Sequence, residues 1–165
     1  RVIALSGKGE PFLAGMLTLS SHRPFDVPFS KFDDKELNAF AFSDECVGRM
    51  VDKLKASPAW DNLLLVLVAD HGYPWPRSLS YNEPLRHRIP MIWLGGAVAA
   101  PRVVDTYASQ IDICATILGQ LLLRSWFPMR SPLQCRIPFA DRPDKARHSV
   151  SLLSAVRLRR QSHPT

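Results

Sequence analysis

The sequence predicts an α/β fold, a mainly parallel sheet covered by helices on both faces, and three observations predict it. Short apolar runs of strand length alternate with segments of helical apolar period. One of those runs, residues 63–68, is unbroken Leu and Val, the pattern of a strand buried on both faces. A hydrophobic content of 46% is that of a globular chain rather than a disordered or fibrous one.

Taken in order, residues 12–19 read as a buried strand that ends in Ser20-Ser21-His22, and the proline-rich residues 23–29 form a loop. Between Asp33 and Ala56, Leu37, Phe40, Ala41, Val47, Met50, Val51 and Leu54 recur at helical spacing. Asp33 or Asp34 caps this helix, and Lys53 and Lys55 complement the dipole in its last turn. Ser57 and Pro58 end it, Trp60-Asp61-Asn62 turns the chain, and the central strand follows. Residues 73–88 hold three prolines and no periodicity, which describes a long surface loop. Such loops are usually functional. Residues 89–94 form another strand, Gly95-Gly96 breaks it, and residues 103–107 add a short edge segment. Ser109 caps a final helix through Ile111, Ile113, Ile117, Leu118 and Leu121, with Asp112 at the reciprocal capping position.

Charge divides the chain near residue 123. Residues 1–123 hold twelve Lys and Arg against thirteen Asp and Glu, a net of −1, whereas residues 124–165 hold nine against two, a net of +7. The basic tail lacks the interleaved aromatics that stack bases, so specific nucleic-acid binding is not expected. The longest apolar run is of strand length, too short to span a bilayer. Cys46, Cys114 and Cys135 have no metal-type spacing, and Cys46 and Cys114 fall on the apolar sides of the two helices, where they act as small hydrophobes. The start, Arg1-Val2-Ile3, has neither a methionine nor a secretion signal, as expected of part of a larger protein.

Chemistry concentrates where residues 63–68 stop at Asp70-His71-Gly72. A strand in a parallel sheet delivers the residues after it to the carboxyl edge, where α/β proteins build sites. A carboxylate and an imidazole both ligate divalent ions, and glycine permits the sharp turn. The same three residues also suit an Asx-type turn, in which the carboxylate bonds nearby backbone amides.

Several blocks carry a resemblance: Phe12-Leu13-Ala14, Thr18-Leu19-Ser20-Ser21-His22-Arg23-Pro24-Phe25, Ala41-Phe42-Ser43-Asp44, Trp60-Asp61-Asn62, Ala69-Asp70-His71-Gly72, Arg88-Ile89-Pro90-Met91-Ile92-Trp93 and Ser109-Gln110-Ile111-Asp112. In this order, over residues 10–122, the chain resembles the sulfatase superfamily, within it the branch of lipoteichoic acid synthase and related phosphoglycerol transferases. The resemblance implies part of an alkaline-phosphatase-like α/β/α sandwich. Its members attack phosphorus or sulfur esters with a threonine, serine or formylglycine beside a divalent ion, here Mn²⁺, Mg²⁺ or Ca²⁺.

Carried over residue by residue, the resemblance makes Asp70 and His71 metal ligands and His22 a catalytic, substrate-facing histidine. The alternative for His22 is a turn histidine bonded to backbone, and His87 is either a substrate contact or an exposed loop histidine. Ser20 and Ser21 orient His22, and Tyr73 and Trp75 either wall a pocket or cover apolar surface. The implied partner is an anionic ester, with a lipid or glycan head group, and the implied location is the cell membrane with the domain facing the periplasm or the outside.

Two departures from the family set limits. The nucleophile and an acidic metal ligand belong to an amino-terminal half that would precede Arg1, so residues 1–123 are expected to be the carboxyl-terminal part of a catalytic domain that needs its missing half. Two ligands alone should bind an ion weakly, and this chain alone should turn over little or no substrate. An anion-binding pseudoenzyme, or a partner half completing another chain, is the alternative. Residues 124–165 depart in composition as well, and are expected to be disordered, with a short helix at 149–158, or to be the product of a shifted reading frame.

Overall fold

The computed structural model describes residues 1–74 and 78–121. The expectations for Trp75, for Cys135 and for the tail beyond residue 123 lie outside the described residues.

Helix α2, Lys35–Lys55, begins where the sequence supplies a cap. Asp34 is extended, and its Oδ1 accepts from the amides of Glu36 at 2.8 Å and Leu37 at 3.1 Å, satisfying two of the amides that a helix start leaves open. Glu36 in the first turn and Lys53 and Lys55 in the last complement the dipole. Buried Asn38 ties the preceding loop down: its Nδ2 donates to the Phe32 carbonyl at 2.7 Å, and its Oδ1 accepts from the Phe32 amide at 2.9 Å.

A 3₁₀ turn, Pro58–Asn62, leads from α2 into strand β1, Leu65–Val68. Leu63, Leu65 and Leu67 cluster with Val47 and Leu54 of α2, and Met50, Val51, Trp60, Ile92 and Leu94 pack around them. Alternate residues of a strand face opposite sides, so Leu64 and Val66 look away from α2, and they too are at most 1% exposed. Both faces of β1 are therefore covered. A short helix α1, Val2–Ser6, which the sequence did not announce, sends Val2 into the same cluster.

Strand β2, Met91–Leu94, pairs with β1 antiparallel, in the register Leu65↔Leu94 to Val68↔Met91. This corrects the parallel sheet that strand alternation led us to expect. Parallel neighbours need a crossover, usually a helix, and the described residues of the link from β1 to β2 contain only a 3₁₀ turn, Pro84–His87. Gly95, at φ +108°, then reverses the chain over the start of β1, where a Cβ would collide with the Leu63 carbonyl oxygen.

Two further strands expected from the sequence are not formed. Residues 11–19 run without regular structure, and Leu13, Leu17 and Leu19 are 78–82% exposed. A strand needs a neighbour for its amides and carbonyls, and the described sheet has just two strands. Val103 and Tyr107 of the expected edge segment are likewise exposed, with no pairing.

The final helix, α3, Ile111–Leu121, carries the reciprocal cap: Asp112 Oδ2 accepts from the Ser109 amide at 2.8 Å. Its exposed side includes Ile111 and Cys114, so Cys114 is not the core residue expected, whereas Cys46 is partly buried.

Leu65→Ala should lower unfolding stability by about 2–5 kcal/mol and Asp34→Ala by about 1 kcal/mol, both read from urea unfolding. A smaller loss at Leu65 than at Asp34 would contradict the burial order.

Candidate functional site

Ala69 is still buried, and the next two side chains emerge abruptly: Asp70 is 76% exposed and His71 75%. Two demands meet at Asp70. Its Oδ1 accepts from the His71 amide at 3.0 Å, a local carboxylate–backbone bond of the kind the Asx reading describes. Its Oδ2 lies 3.7 Å from His71 Nε2, so one oxygen shapes the turn while the other faces the imidazole.

The His71 ring is set by its own backbone surroundings. Nδ1 lies 2.9 Å from the Gly72 carbonyl, which can only accept, so Nδ1 carries the proton. The Nε2 lone pair of the neutral ring is then left for a ligand, the arrangement by which a carbonyl orients a metal-binding histidine. A donor separation of 3.7 Å is shorter than two metal–ligand bonds of about 2.0–2.2 Å laid end to end. One ion can reach both atoms, so the pair fits a divalent metal. Among the described residues, no group of three or more His, Cys, Asp or Glu is placed to hold one.

Two distant segments pack against this turn. Gly72 sits so close to the 3₁₀ turn Pro84–His87 that a Cβ would collide with the Arg86 carbonyl oxygen and lie 2.9 Å from His87 Cα. His87 therefore borders the Asp70 turn through its backbone. Its Nε2 donates to the Tyr81 carbonyl at 2.8 Å, its ring meets Tyr81 edge-on at 5.5 Å, and the side chain is exposed. The second segment is the start of α3, where Gln110 Nε2 donates to the carbonyls of Ala69 at 2.8 Å and Asp70 at 2.7 Å.

His22 lies in a separate turn, closed by its amide on the Leu19 carbonyl at 3.1 Å and by the Phe25 amide on its own carbonyl at 3.0 Å. Its Nδ1 is 3.0 Å from the Arg23 carbonyl and so donates, the backbone-bonded state of a turn histidine, which leaves Nε2 outward. The structure does not gather His22 with Asp70 and His71 into one three-ligand group. It does link the two turns through aromatic rings. Phe25, held at φ +63°, packs edge-on against Phe40 of α2 at 6.2 Å, and Phe40 meets Tyr73 at 4.8 Å. Each such pair contributes about 0.5–1.5 kcal/mol beyond its buried area. Tyr73 is thus a packing residue on α2.

Sequence reasoning passed over three of these residues as site elements. Phe40 looked like one more apolar helix position, and Gly72 like a free turn glycine. Gln110 stood inside a recognised block, yet nothing in the sequence said that its amide would reach back some forty residues.

With this geometry in place, the comparisons with known proteins are informative. The family model described as Sulfatase matches residues 1–122. Phosphoglycerol transferase I of Xanthomonas axonopodis pv. citri is 31% identical over 132 residues, and that of Xanthomonas campestris pv. campestris is 30% identical over the same length. Each alignment covers 72% of this chain and 18% of the relative, so the chain spans less than a fifth of the curated proteins it matches. No solved structure matches.

Gly72→Ala should push the Arg86–His87 backbone off the Asp70 turn, at a cost of about 1–3 kcal/mol. Urea unfolding together with backbone resonance shifts at residues 86–88 checks this. Unchanged shifts there would refute the close approach.

Proposed function

Because the chain belongs to the sulfatase, alkaline-phosphatase-like family, we propose that it supplies part of the site of a metal-dependent enzyme that hydrolyses or transfers phosphate or sulfate esters, on the pattern of a phosphoglycerol transferase. The observation that supports this best is the Asp70–His71 pair, whose Oδ2 and Nε2 converge at 3.7 Å with Nδ1 already committed to the Gly72 carbonyl.

Asp70 and His71 hold the ion, which is Mn²⁺, Mg²⁺ or Ca²⁺. When bound, such an ion draws charge from the attacked phosphorus or sulfur and keeps a nearby nucleophile deprotonated. The Gly72 carbonyl keeps the His71 ring in the tautomer and orientation that ligation requires. His22, when its ring is protonated on both nitrogens, keeps Nδ1–H on the Arg23 carbonyl and donates the Nε2 proton to a non-bridging or leaving oxygen of the ester, which leaves the neutral imidazole. His87, with Nε2–H anchored on the Tyr81 carbonyl, offers an Nδ1–H to the anionic group when its ring is protonated. The substrate is an anionic ester with a lipid or glycan head group. We place the domain on the outer side of the cytoplasmic membrane by its family likeness, and among the described residues no helix is long and apolar enough to cross a membrane.

Phosphodiesterase and sulfatase activity of the intact gene product, assayed with each of the three ions, tests the proposal. Asp70→Ala and His71→Ala should each lower metal-dependent turnover at least about a hundredfold, the scale on which losing a required charge-stabilising group acts. Asp70→Ala activity equal to the wild type would refute the metal role. Ester binding without turnover in the wild type would favour an anion-binding pseudoenzyme or a partner half.

A further inference from the structure

We infer that Gln110 is a positioning residue, which holds the Asp70–His71 turn in ligating geometry from the start of α3. The inference rests on the proposed metal role for what the geometry is used for, but the clamp itself stands on contacts independent of any ion. Gln110 Nε2 has two hydrogens, and two carbonyl oxygens lie within reach: Ala69 at 2.8 Å and Asp70 at 2.7 Å. Both acceptors precede His71, so the peptide units on either side of Asp70 are pinned by one side chain. A glutamine amide serves here where its isosteric carboxylate or the shorter asparagine does not. A carboxylate has no proton for the carbonyls, and asparagine is one methylene short of the span.

The placement is also economical in the chain. The adjacent residue Ser109 caps α3 with Asp112, which fixes the backbone that projects Gln110. On its other flank the turn abuts the Arg86–His87 backbone through Gly72. Held from α3 and from the 3₁₀ turn, an otherwise exposed loop has little freedom to swing its carboxylate away from the imidazole. Outer partners of this kind typically change metal affinity ten- to a hundredfold.

Gln110→Met keeps the side-chain length and removes both donors, and it can be tested in the 165-residue chain. The His71 amide, which donates to Asp70 Oδ1, should exchange with solvent about five- to tenfold faster than in the wild type, the effect of losing one net hydrogen bond or slightly more. The amides of Leu65–Leu67 should keep their rates. With Mn²⁺ alone as the probe, paramagnetic broadening of the His71 ring should require about tenfold more ion. Unchanged exchange at the His71 amide would overturn the inference. Equal acceleration through Leu65–Leu67 would also overturn it, because Gln110 would then serve general stability. Absence of Mn²⁺ broadening in the wild type would count against the metal reading, while the exchange rates would still decide the clamp.

Discussion

Burial of β1 on both faces is the constraint from which the remaining structure follows. Leu63–Leu67 are each at most 2% exposed, so every neighbour must approach within van der Waals contact and every backbone group of the strand must find a partner. Helix α2 closes one side with Val47 and Leu54, and β2 satisfies one edge. The chain can return over the start of the strand only as glycine, because Gly95 and Gly96 lie too near the backbone of Asp61 and Leu63 for a side chain. At the other end the same burial stops at Ala69, and the first polar residues past it, Asp70 and His71, are pushed together into solvent. The candidate site is thus a by-product of how tightly the strand is packed.

Much of this was legible in the sequence because it depends on local chemistry. The helix around residues 35–55, its aspartate cap, its basic last turn, the reciprocal cap at Ser109 and Asp112, and the strand after Asn62 each rest on a few neighbouring residues, and the structure reproduces them. Strand pairing does not rest on neighbours. Residues 12–19 have the composition of a strand yet form no ladder with another strand among the described residues, and β2 has the composition of a parallel strand yet runs the other way. One clue to the direction was present: a link from β1 to β2 rich in proline and without helical period argues against a crossover helix.

The histidines show a second limit of sequence reading. For His22 we weighed a functional role against a ring bonded to backbone, for Asp70-His71 against an Asx-type turn and for His87 against an exposed loop histidine, as if each pair were opposed. In the structure each ring is bonded to a carbonyl through one nitrogen, which fixes the state of the other. Backbone anchoring is what prepares an imidazole for ligation or proton transfer, so the two readings describe successive layers of one arrangement. The link between the His22 and Asp70 turns lies in edge-on ring contacts with Phe40, which no periodicity reveals.

The irregular stretch of residues 11–19 has a practical consequence. With Leu13, Leu17 and Leu19 exposed and no strand alongside among the described residues, it offers oily side chains to whatever meets it first. In a crowded solution of identical molecules that first encounter is another copy, and stickiness of this kind builds sediment rather than a defined oligomer. Purification at low concentration, or with a soluble tag kept beside Arg1, follows directly from three leucines.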